Sequence, residues 1–168
     1  MLLDEALAAA DLLEDGPVVD VGSGGGSPGI PLAGARPDLP FDLLESQRRK
    51  CRFLEEWSAE LENVRIVCAR AEEHGRAAGR DAYGTALARA LAPPPVALEW
   101  LLPLVRPGGF ALLFVGPSAD RKSAARAASL VAGQLEPAPP GFLRARKVGA
   151  TPKRFPRRPG IARKRPLA

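Results

Sequence analysis

A glycine-rich loop between an apolar segment and a proline constrains this chain more than any other feature. The apolar segment VVDV, residues 18–21, has the length and composition of a buried strand and carries one acid, Asp20. The loop that follows, GSGGGSPG at 22–29, is too rich in glycine to continue a strand. Pro28 suits the first turn of a helix that runs to about Arg36. This strand–loop–helix order is typical of α/β proteins, in which glycines let the backbone approach a ligand at a strand end.

Short apolar segments alternate with longer amphipathic ones along the rest of the chain. Further strands are predicted within 41–45, 63–69, 83–92 and 110–116, with two short strands on either side of 137–141. Helices are predicted at 2–13, 46–62, 94–109 and 118–133, and Ser46 is the expected N-cap of the segment 46–62. The alternation predicts an α/β fold with a doubly wound, mostly parallel sheet and helices on both faces.

The length of 168 residues predicts a single domain with one core. We expect residues 1–150 to form the ligand-binding domain and residues 151–168 to form an irregular basic tail of the same domain. No window approaches the roughly 18 apolar residues of a membrane span. Acids stand near the N-terminus, where a signal peptide needs bases, so a cytoplasmic location is expected.

The few cysteine and histidine residues argue against a metal site. Cys51 and Cys68 form no CxxC motif, and we expect both to be reduced, buried thiols. The single histidine, His74, is interpreted as a surface residue at a helix end. We therefore predict no metal ligand, and no catalytic acid or base is assigned.

Charge is distributed unevenly along the chain. Residues before 46 include nine acids and one base, whereas residues after Glu136 include ten bases and no acid. This asymmetry favours a polyanionic partner, and nucleic acid is the first candidate. The alternative is a solvated tail that only aids solubility. The residues predicted to contact RNA phosphates are Arg48, Arg49, Arg154, Arg157 and Arg158.

The glycine loop itself admits two interpretations. Residues 24–29, GGGSPG, satisfy the dinucleotide pattern G-x-G-x-x-G, which would suit a nicotinamide-dependent oxidoreductase. However, the acid within the strand extends the pattern to D-x-G-x-G-x-G, over Asp20, Gly22, Gly24 and Gly26. That pattern resembles motif I of the class I methyltransferases, which bind S-adenosylmethionine. Glu45, at the end of the second predicted strand, can accept both hydroxyls of a ribose in either kind of ligand.

Six motifs occur in one order along nearly the whole chain. They are DVGSGGGSPGIPLA, DLLES, ARAEE at 69–73, ARALA at 88–92, LVRPGG at 104–109 and TPKRFPRRPG at 151–160. Together they resemble the glucose-inhibited division protein B family, bacterial methyltransferases that modify N7 of a guanine in small-subunit ribosomal RNA. The resemblance implies S-adenosylmethionine as cofactor and the RNA or the 30S particle as partner. It implies cofactor-binding roles for the motif I residues, Gly22 included, and for five further residues: Ser27, Glu45, Ala71, Glu72 and Arg89.

The chain departs from this family in two places. Fewer residues precede the glycine loop than the family usually has, and the segment near Val115 and Gly116 lacks the lysine that members commonly carry. Guanine N7 bears no proton at neutral pH, so methylation needs orientation and desolvation but no general base. The alternatives are a degenerate RNA-binding module with little turnover and a small-molecule methyltransferase, which would leave the basic tail unexplained. A monomer is expected.

Overall fold

A seven-stranded sheet with the strand order β3-β2-β1-β4-β5-β7-β6 forms the centre of the protein. The computed structural model describes residues 2–168, with the side chain of Leu2 left out. The strands are β1 (Val18–Val21), β2 (Phe41–Glu45), β3 (Val64–Cys68), β4 (Tyr83–Arg89), β5 (Val105–Phe114), β6 (Gly133–Glu136) and β7 (Phe142–Lys147). The helices are α1 (Leu2–Leu7), α2 (Gly29–Ala35), α3 (Arg48–Trp57), α4 (Ala71–His74), α5 (Pro94–Leu101), α6 (Arg121–Leu130) and α7 (Ile161–Lys164).

The first five strands run parallel, and β7 pairs with both β5 and β6 in the antiparallel sense. All four residues of β1 are buried. Successive residues of β1 pack into different clusters, Val18 with Leu32 and Phe41, and Val19 with residues of α5 and α6. Because side chains alternate across a strand, both faces of the sheet are covered. The prediction of a doubly wound, mostly parallel α/β fold is confirmed.

The chain order reverses between β1 and β4. From β1 the chain proceeds outward to β2 and β3, and it then returns to place β4 and β5 on the other side. Such a switch point opens a crevice at the carboxyl ends of the two central strands. The fold therefore directs the glycine loop after β1 and the end of β4 toward one place.

The Pro-Gly-Gly segment at 107–109 lies within a strand and not at the end of a helix. The predicted helix 94–109 ends at Leu101, a 3-10 turn covers Leu102–Leu104, and β5 begins at Val105. The register of β4 with β5 shifts between Tyr83 and Thr85, which marks a bulge. A Cβ atom at Gly109 would lie 2.4 Å from the carbonyl oxygen of Gly84, so the close pairing of the two strands requires glycine there.

Two further predicted helices are shorter than expected, and one of them also begins later. The segment 46–62 is helical only over Arg48–Trp57, and Gln47, not Ser46, occupies the N-cap position. The Glu45 side chain accepts a hydrogen bond from the Gln47 amide at 2.9 Å, so an acid of the preceding strand binds the chain where it enters the helix. The segment 2–13 is divided into α1 and a separate 3-10 turn at Ala10–Leu12.

The two cysteines form a disulfide between α3 and β3, which corrects the expectation of reduced thiols. Cys51 is buried on α3, and Cys68 is the last residue of β3. Helix α3 packs against β3, and this packing brings the two Cα atoms within 5.9 Å, a separation that a disulfide can bridge. The contact depends on packing between the two elements, which spacing in the sequence does not reveal.

The C-terminal residues pack on the domain and end in a short helix, so the expectation of an irregular tail was incomplete. Phe155 is buried in the core cluster on the face of α5. Arg80 donates hydrogen bonds to the carbonyl oxygens of Phe155 and Thr151, and Arg76 donates to that of Pro156. These contacts satisfy backbone carbonyls that no helix or strand ladder pairs.

His74 is buried and not on the surface. Its Nε2 lies 2.7 Å from the Tyr83 hydroxyl, and that hydroxyl donates to Asp42 at 2.5 Å. Burial lowers the pKa of His74, because desolvation disfavours the charged imidazolium. His74 therefore belongs to a structural polar cluster at the amino-terminal end of β4.

Candidate active site

A cavity of about 360 Å³ lies at the carboxyl ends of β1, β2 and β4, at the predicted switch point. Val21 and Gly22 line it from β1, Glu45 from β2 and Arg89 from β4, and Glu72 lines it from α4. The cavity has the volume of a small-molecule site. The topology has therefore brought together residues whose positions span most of the chain.

Asp20 shapes the glycine loop and does not line the cavity. Its carboxylate is buried and accepts hydrogen bonds from the Ser23 hydroxyl at 2.8 Å and the Gly29 amide at 3.0 Å. Burial raises the pKa of Asp20 to about 6, against the hydrogen bonds from Ser23 and Gly29, which lower it. The acid joins the two ends of the loop, so its predicted role in the cofactor site is an indirect one.

The loop glycines have different roles. Gly22 and Gly24 line the cavity with positive φ angles of 71° and 54°, which favour glycine. Gly26 also has a positive φ, but it is buried, and a Cβ atom there would lie 2.4 Å from Ile30. Ser27 is exposed and accepts a hydrogen bond from Arg89 at 3.3 Å. Hence the first half of the loop faces the cavity and the second half packs beside it.

Glu45 is held between the glycine loop and the start of α3. One carboxylate oxygen accepts from the Gly24 amide at 3.0 Å and the other from the Gln47 amide at 2.9 Å. The side chain is buried and lines the cavity. A carboxylate can accept about four hydrogen bonds, so both oxygens retain capacity for ligand hydroxyls. This is the arrangement that recognition of a ribose requires.

Ala71 and Glu72 line the cavity on the side of β3. Glu72 is buried, and its carboxylate accepts a hydrogen bond from the Gly160 amide at 3.2 Å. This contact joins residues that lie 88 positions apart. The C-terminal segment thus reaches the cavity, which the sequence motifs did not indicate.

Arg89 stands at the end of β4 between two cavities. Its guanidinium forms an ion pair with Glu5 of α1 at 3.1 Å besides the contact with Ser27. A second cavity, of about 550 Å³, shares Arg89 and Ala90 with the first, and Phe114 and Phe142 also line it. The two phenyl rings meet edge to face with centroids 4.9 Å apart. Arg89 therefore lines both cavities at the place where they adjoin.

The five arginines predicted to contact RNA differ in their surroundings. Four side chains are exposed: Arg48, Arg49, Arg154 and Arg158. Arg157 instead donates two hydrogen bonds to the buried carboxylate of Glu99, each at 2.5 Å, and a third to the carbonyl oxygen of Arg165. This ion pair raises the pKa of Arg157 and anchors the tail to α5. Its contact with RNA stays a prediction, beside this structural role.

Four cavity residues lie outside the motifs: Gln47, Lys50, Trp100 and Arg163. Gly160 belongs to the PRRPG motif, which we had connected with RNA because of its charge. Trp100 and Arg163 carry no local signal, because each reaches the cavity through the packing of α5 and α7. No group of three or more His, Cys, Asp or Glu within residues 2–168 is placed to hold a metal ion. Within the same residues, no helix is long and apolar enough to cross a membrane.

The residues of the first cavity fit an adenosine-containing cofactor. Glu45 presents carboxylate oxygens for ribose hydroxyls, and the positive φ angles of Gly22 and Gly24 leave the loop backbone open toward the cavity. A Cβ atom at Gly22 would lie 2.5 Å from Leu91, another residue of the cavity wall. The wall of the cavity therefore includes glycine backbone without side chains and the carboxylate of Glu45.

Comparison with known proteins decides the family. The family described as GidB, rRNA small subunit methyltransferase G, matches residues 1–142 of the chain. The chain belongs to this family. The ribosomal RNA small subunit methyltransferase G of Pelotomaculum thermopropionicum is 39% identical over 92% of the chain and 72% of its own length. That of Dictyoglomus thermophilum is 38% identical over 89% and 68%.

Solved structures support the same fold. An S-adenosylmethionine-dependent O-methyltransferase from Thermotoga maritima has a TM-score of 0.63 and 13% identity, covering 89% of this chain and 67% of its own. The TYW2 protein of M. jannaschii, in complex with AdoMet, has a TM-score of 0.64 and 17% identity over 86% and 72%. The resemblance to the GidB family is confirmed, and S-adenosylmethionine is the cofactor of this methyltransferase. The oxidoreductase interpretation of the glycine loop is wrong.

Proposed function

We propose that this chain methylates N7 of a guanine in small-subunit ribosomal RNA. The observation that carries the proposal is the pair of cavities that meet at Arg89. One cavity offers Glu45 and the glycine loop to the cofactor, and the adjoining one has room for an acceptor. Membership of the GidB family supports ribosomal RNA as that acceptor.

The proposed reaction does not require the protein to remove a proton before the methyl group is transferred. Bound S-adenosylmethionine supplies a methyl group that is activated toward nucleophiles by its sulfonium. Guanine N7 offers an unprotonated lone pair, so the residues around the cavities need only orient the base and exclude water. We therefore assign no catalytic acid or base.

The second cavity is the proposed site of the acceptor base. RNA bases taken out of their stack are commonly held against aromatic side chains, and Phe114 and Phe142 present an aromatic pair here. Val115 and Gly116, where the family's lysine is missing, line the same cavity. Arg89 supplies a cation at this boundary and is positioned by Glu5.

Exposed arginines near the cofactor cavity are the proposed RNA contacts. Arg48 and Arg49 begin α3, and Lys50 on the next position lines the cavity. Arg158 lies two residues before Gly160, which also lines it. Both groups border the cavity, so phosphate contacts there would position the RNA strand over the site. A monomeric protein acting in the cytoplasm, where ribosomal subunits assemble, completes the proposal.

Methyl transfer to isolated 30S subunits and to protein-free 16S rRNA tests this function. With isotopically labelled S-adenosylmethionine, we expect incorporation at one guanine, located by chemical cleavage at N7-methylguanine. Phe114→Leu should reduce transfer about tenfold or more through loss of base stacking. Phe53→Leu, an exposed ring on α3, is the matched control. Cofactor binding without transfer to either RNA would replace the proposal with the degenerate RNA-binding module.

RNA binding is tested through its salt dependence. The double variant Arg48→Gln with Arg49→Gln should bind 16S rRNA more weakly and lower the slope of log affinity against log salt by about 0.7 for each lost single-strand contact. Lys122→Gln with Arg126→Gln removes two exposed charges from α6 and should leave the slope unchanged. Equal slopes in the two double variants would contradict a specific RNA-binding role for the start of α3.

A further inference from the structure

The C-terminal segment 157–165 forms one wall of the cofactor cavity. Gly160 and Arg163 line the cavity together with residues of the glycine loop. Three side chains or backbone groups fasten the segment there: Arg157 to Glu99, the Gly160 amide to Glu72, and the Arg163 guanidinium to the Leu91 carbonyl at 3.0 Å. Each partner lies on or near the cavity, so the segment is fixed to the site at three points.

Trp100 lies under this wall. The indole is buried and lines the cavity, and the Arg163 guanidinium carbon lies 5.2 Å from the centre of its ring. This distance is within the range of a cation–π contact. The indole Nε1 is buried and has no hydrogen-bond partner among residues 2–168. Trp100 therefore takes part in the cavity wall through the surface of its ring, which the Arg163 guanidinium also contacts.

We propose that Arg163, seated on Trp100, is a cofactor-binding residue that contacts the adenine half of S-adenosylmethionine. The wall reaches the cavity at Glu72, on the side of β3, and Gly160 donates to that carboxylate directly. A planar guanidinium suits both an indole on one face and a purine on the other. The basic tail thus has two tasks, because the residues around Arg158 face RNA while Gly160 and Arg163 face the cofactor.

Calorimetric titration with S-adenosylhomocysteine in the absence of RNA tests the proposal. Arg163→Ala should weaken binding about fivefold, as expected for loss of a cation–π contact made by an exposed guanidinium. Lys164→Ala, the neighbouring exposed residue of α7, is the control and should bind as the unchanged protein does. Equal affinities for the two variants would overturn the proposal. The result does not depend on methyl transfer, so failure of the RNA target leaves it untouched.

Tryptophan fluorescence supplies a second measurement that needs no change at Arg163. The chain has two tryptophans, Trp100 at the cavity and the exposed Trp57 on α3. In Trp57→Phe, S-adenosylhomocysteine should change the emission of the remaining Trp100 with the affinity found by calorimetry. In Trp100→Phe the emission of Trp57 should stay constant. A ligand response confined to Trp100→Phe would exclude the C-terminal wall from the site.

Discussion

At the scale of single residues, two buried carboxylates of the site have separate tasks because their partners differ. Asp20 accepts from Ser23 and Gly29 within one loop, whereas Glu45 accepts from Gly24 and Gln47 in two different segments. Burial disfavours the ionised form of Asp20 more than these hydrogen bonds favour it, and the pKa of Asp20 is therefore raised to about 6. The carboxyl group that holds the two ends of the loop together is therefore harder to ionise than an ordinary aspartic acid.

The pH dependence of stability should reveal this cost. Because the folded-state pKa of Asp20 is raised, the unfolded chain releases this proton first, and folding stability is lost as pH rises from about 4 through 6. The free energy of unfolding of the unchanged protein, relative to Asp20→Asn, should therefore fall between about pH 4 and 6. Urea denaturation at several pH values measures it.

Asp38→Asn is the control with the opposite sign. The ion pair with Arg36 lowers the pKa of Asp38, so its contribution is present at neutral pH and is lost as pH falls. A difference between the unchanged protein and Asp20→Asn that stays constant with pH would show that Asp20 titrates normally.

At the scale of elements, the disulfide connects α3 to the end of β3, beside the carboxylate that we predict to bind the ribose. The Cys51 sulfur lies 3.3 Å from the carbonyl oxygen of Glu45, so the cross-link, α3 and β2 meet at one point. Helix α3 contributes Lys50 and strand β2 contributes Glu45 to the wall of the first cavity. Cytosolic proteins seldom keep structural disulfides, so the bond is exposed to reduction where this protein is proposed to work.

Reduction should lower the thermal stability of the protein. The cysteines are 17 positions apart, and closing a loop of that length stabilises a fold by about 3 kcal/mol in the chain-entropy description. Dithiothreitol should therefore lower the Tm of the unchanged protein and leave that of Cys51→Ser unaffected. Titration of two free thiols in the folded, unreduced protein would contradict the disulfide.

At the scale of the whole molecule, ion pairs with acids neutralise part of the positive charge at the C-terminal end of the chain. Four of the ten bases after Glu136 pair with acids: Arg144 and Arg146 with Glu14 and Glu136, Lys147 with Asp81, and Arg157 with Glu99. Only Glu14 of these acids belongs to the acidic first part of the chain, and the other three lie after residue 46. Lys147 is the most buried of them and donates to Asp81, Thr151 and two backbone carbonyls.

Removing this lysine should destabilise the whole domain. Lys147→Met removes the cation that pairs with Asp81 and the donor to two backbone carbonyls, although Thr151 still donates to Asp81, and breaking a buried pair on one side costs about 3–5 kcal/mol. Lys153→Met, an exposed lysine six residues later, should change stability by less than about 0.5 kcal/mol. Both values follow from urea denaturation. Similar stabilities of the two variants would show that the network contributes little.

The sequence by itself determined the features that depend on neighbouring residues. The buried strand with Asp20, the turn of the glycine loop and the alternation of strands and helices each follow from local periodicity and backbone preference. The motifs also placed Glu45 and Arg89 at strand ends, where a parallel sheet forms its site. Local patterns failed at Pro107-Gly108-Gly109, because a helix stop and a strand bulge use the same residues.

Only the tertiary structure decided which distant residues meet. The disulfide, the Arg157–Glu99 pair and the Gly160–Glu72 bond join positions that are 17, 58 and 88 residues apart. The run of bases predicts an RNA-binding tail, and the fold adds a structural role for one of them, because Arg157 pairs with the buried carboxylate of Glu99. The physical reason is that a buried charge is costly unless it is paired. Packing, not spacing along the chain, determines which partner is close enough to pair with it.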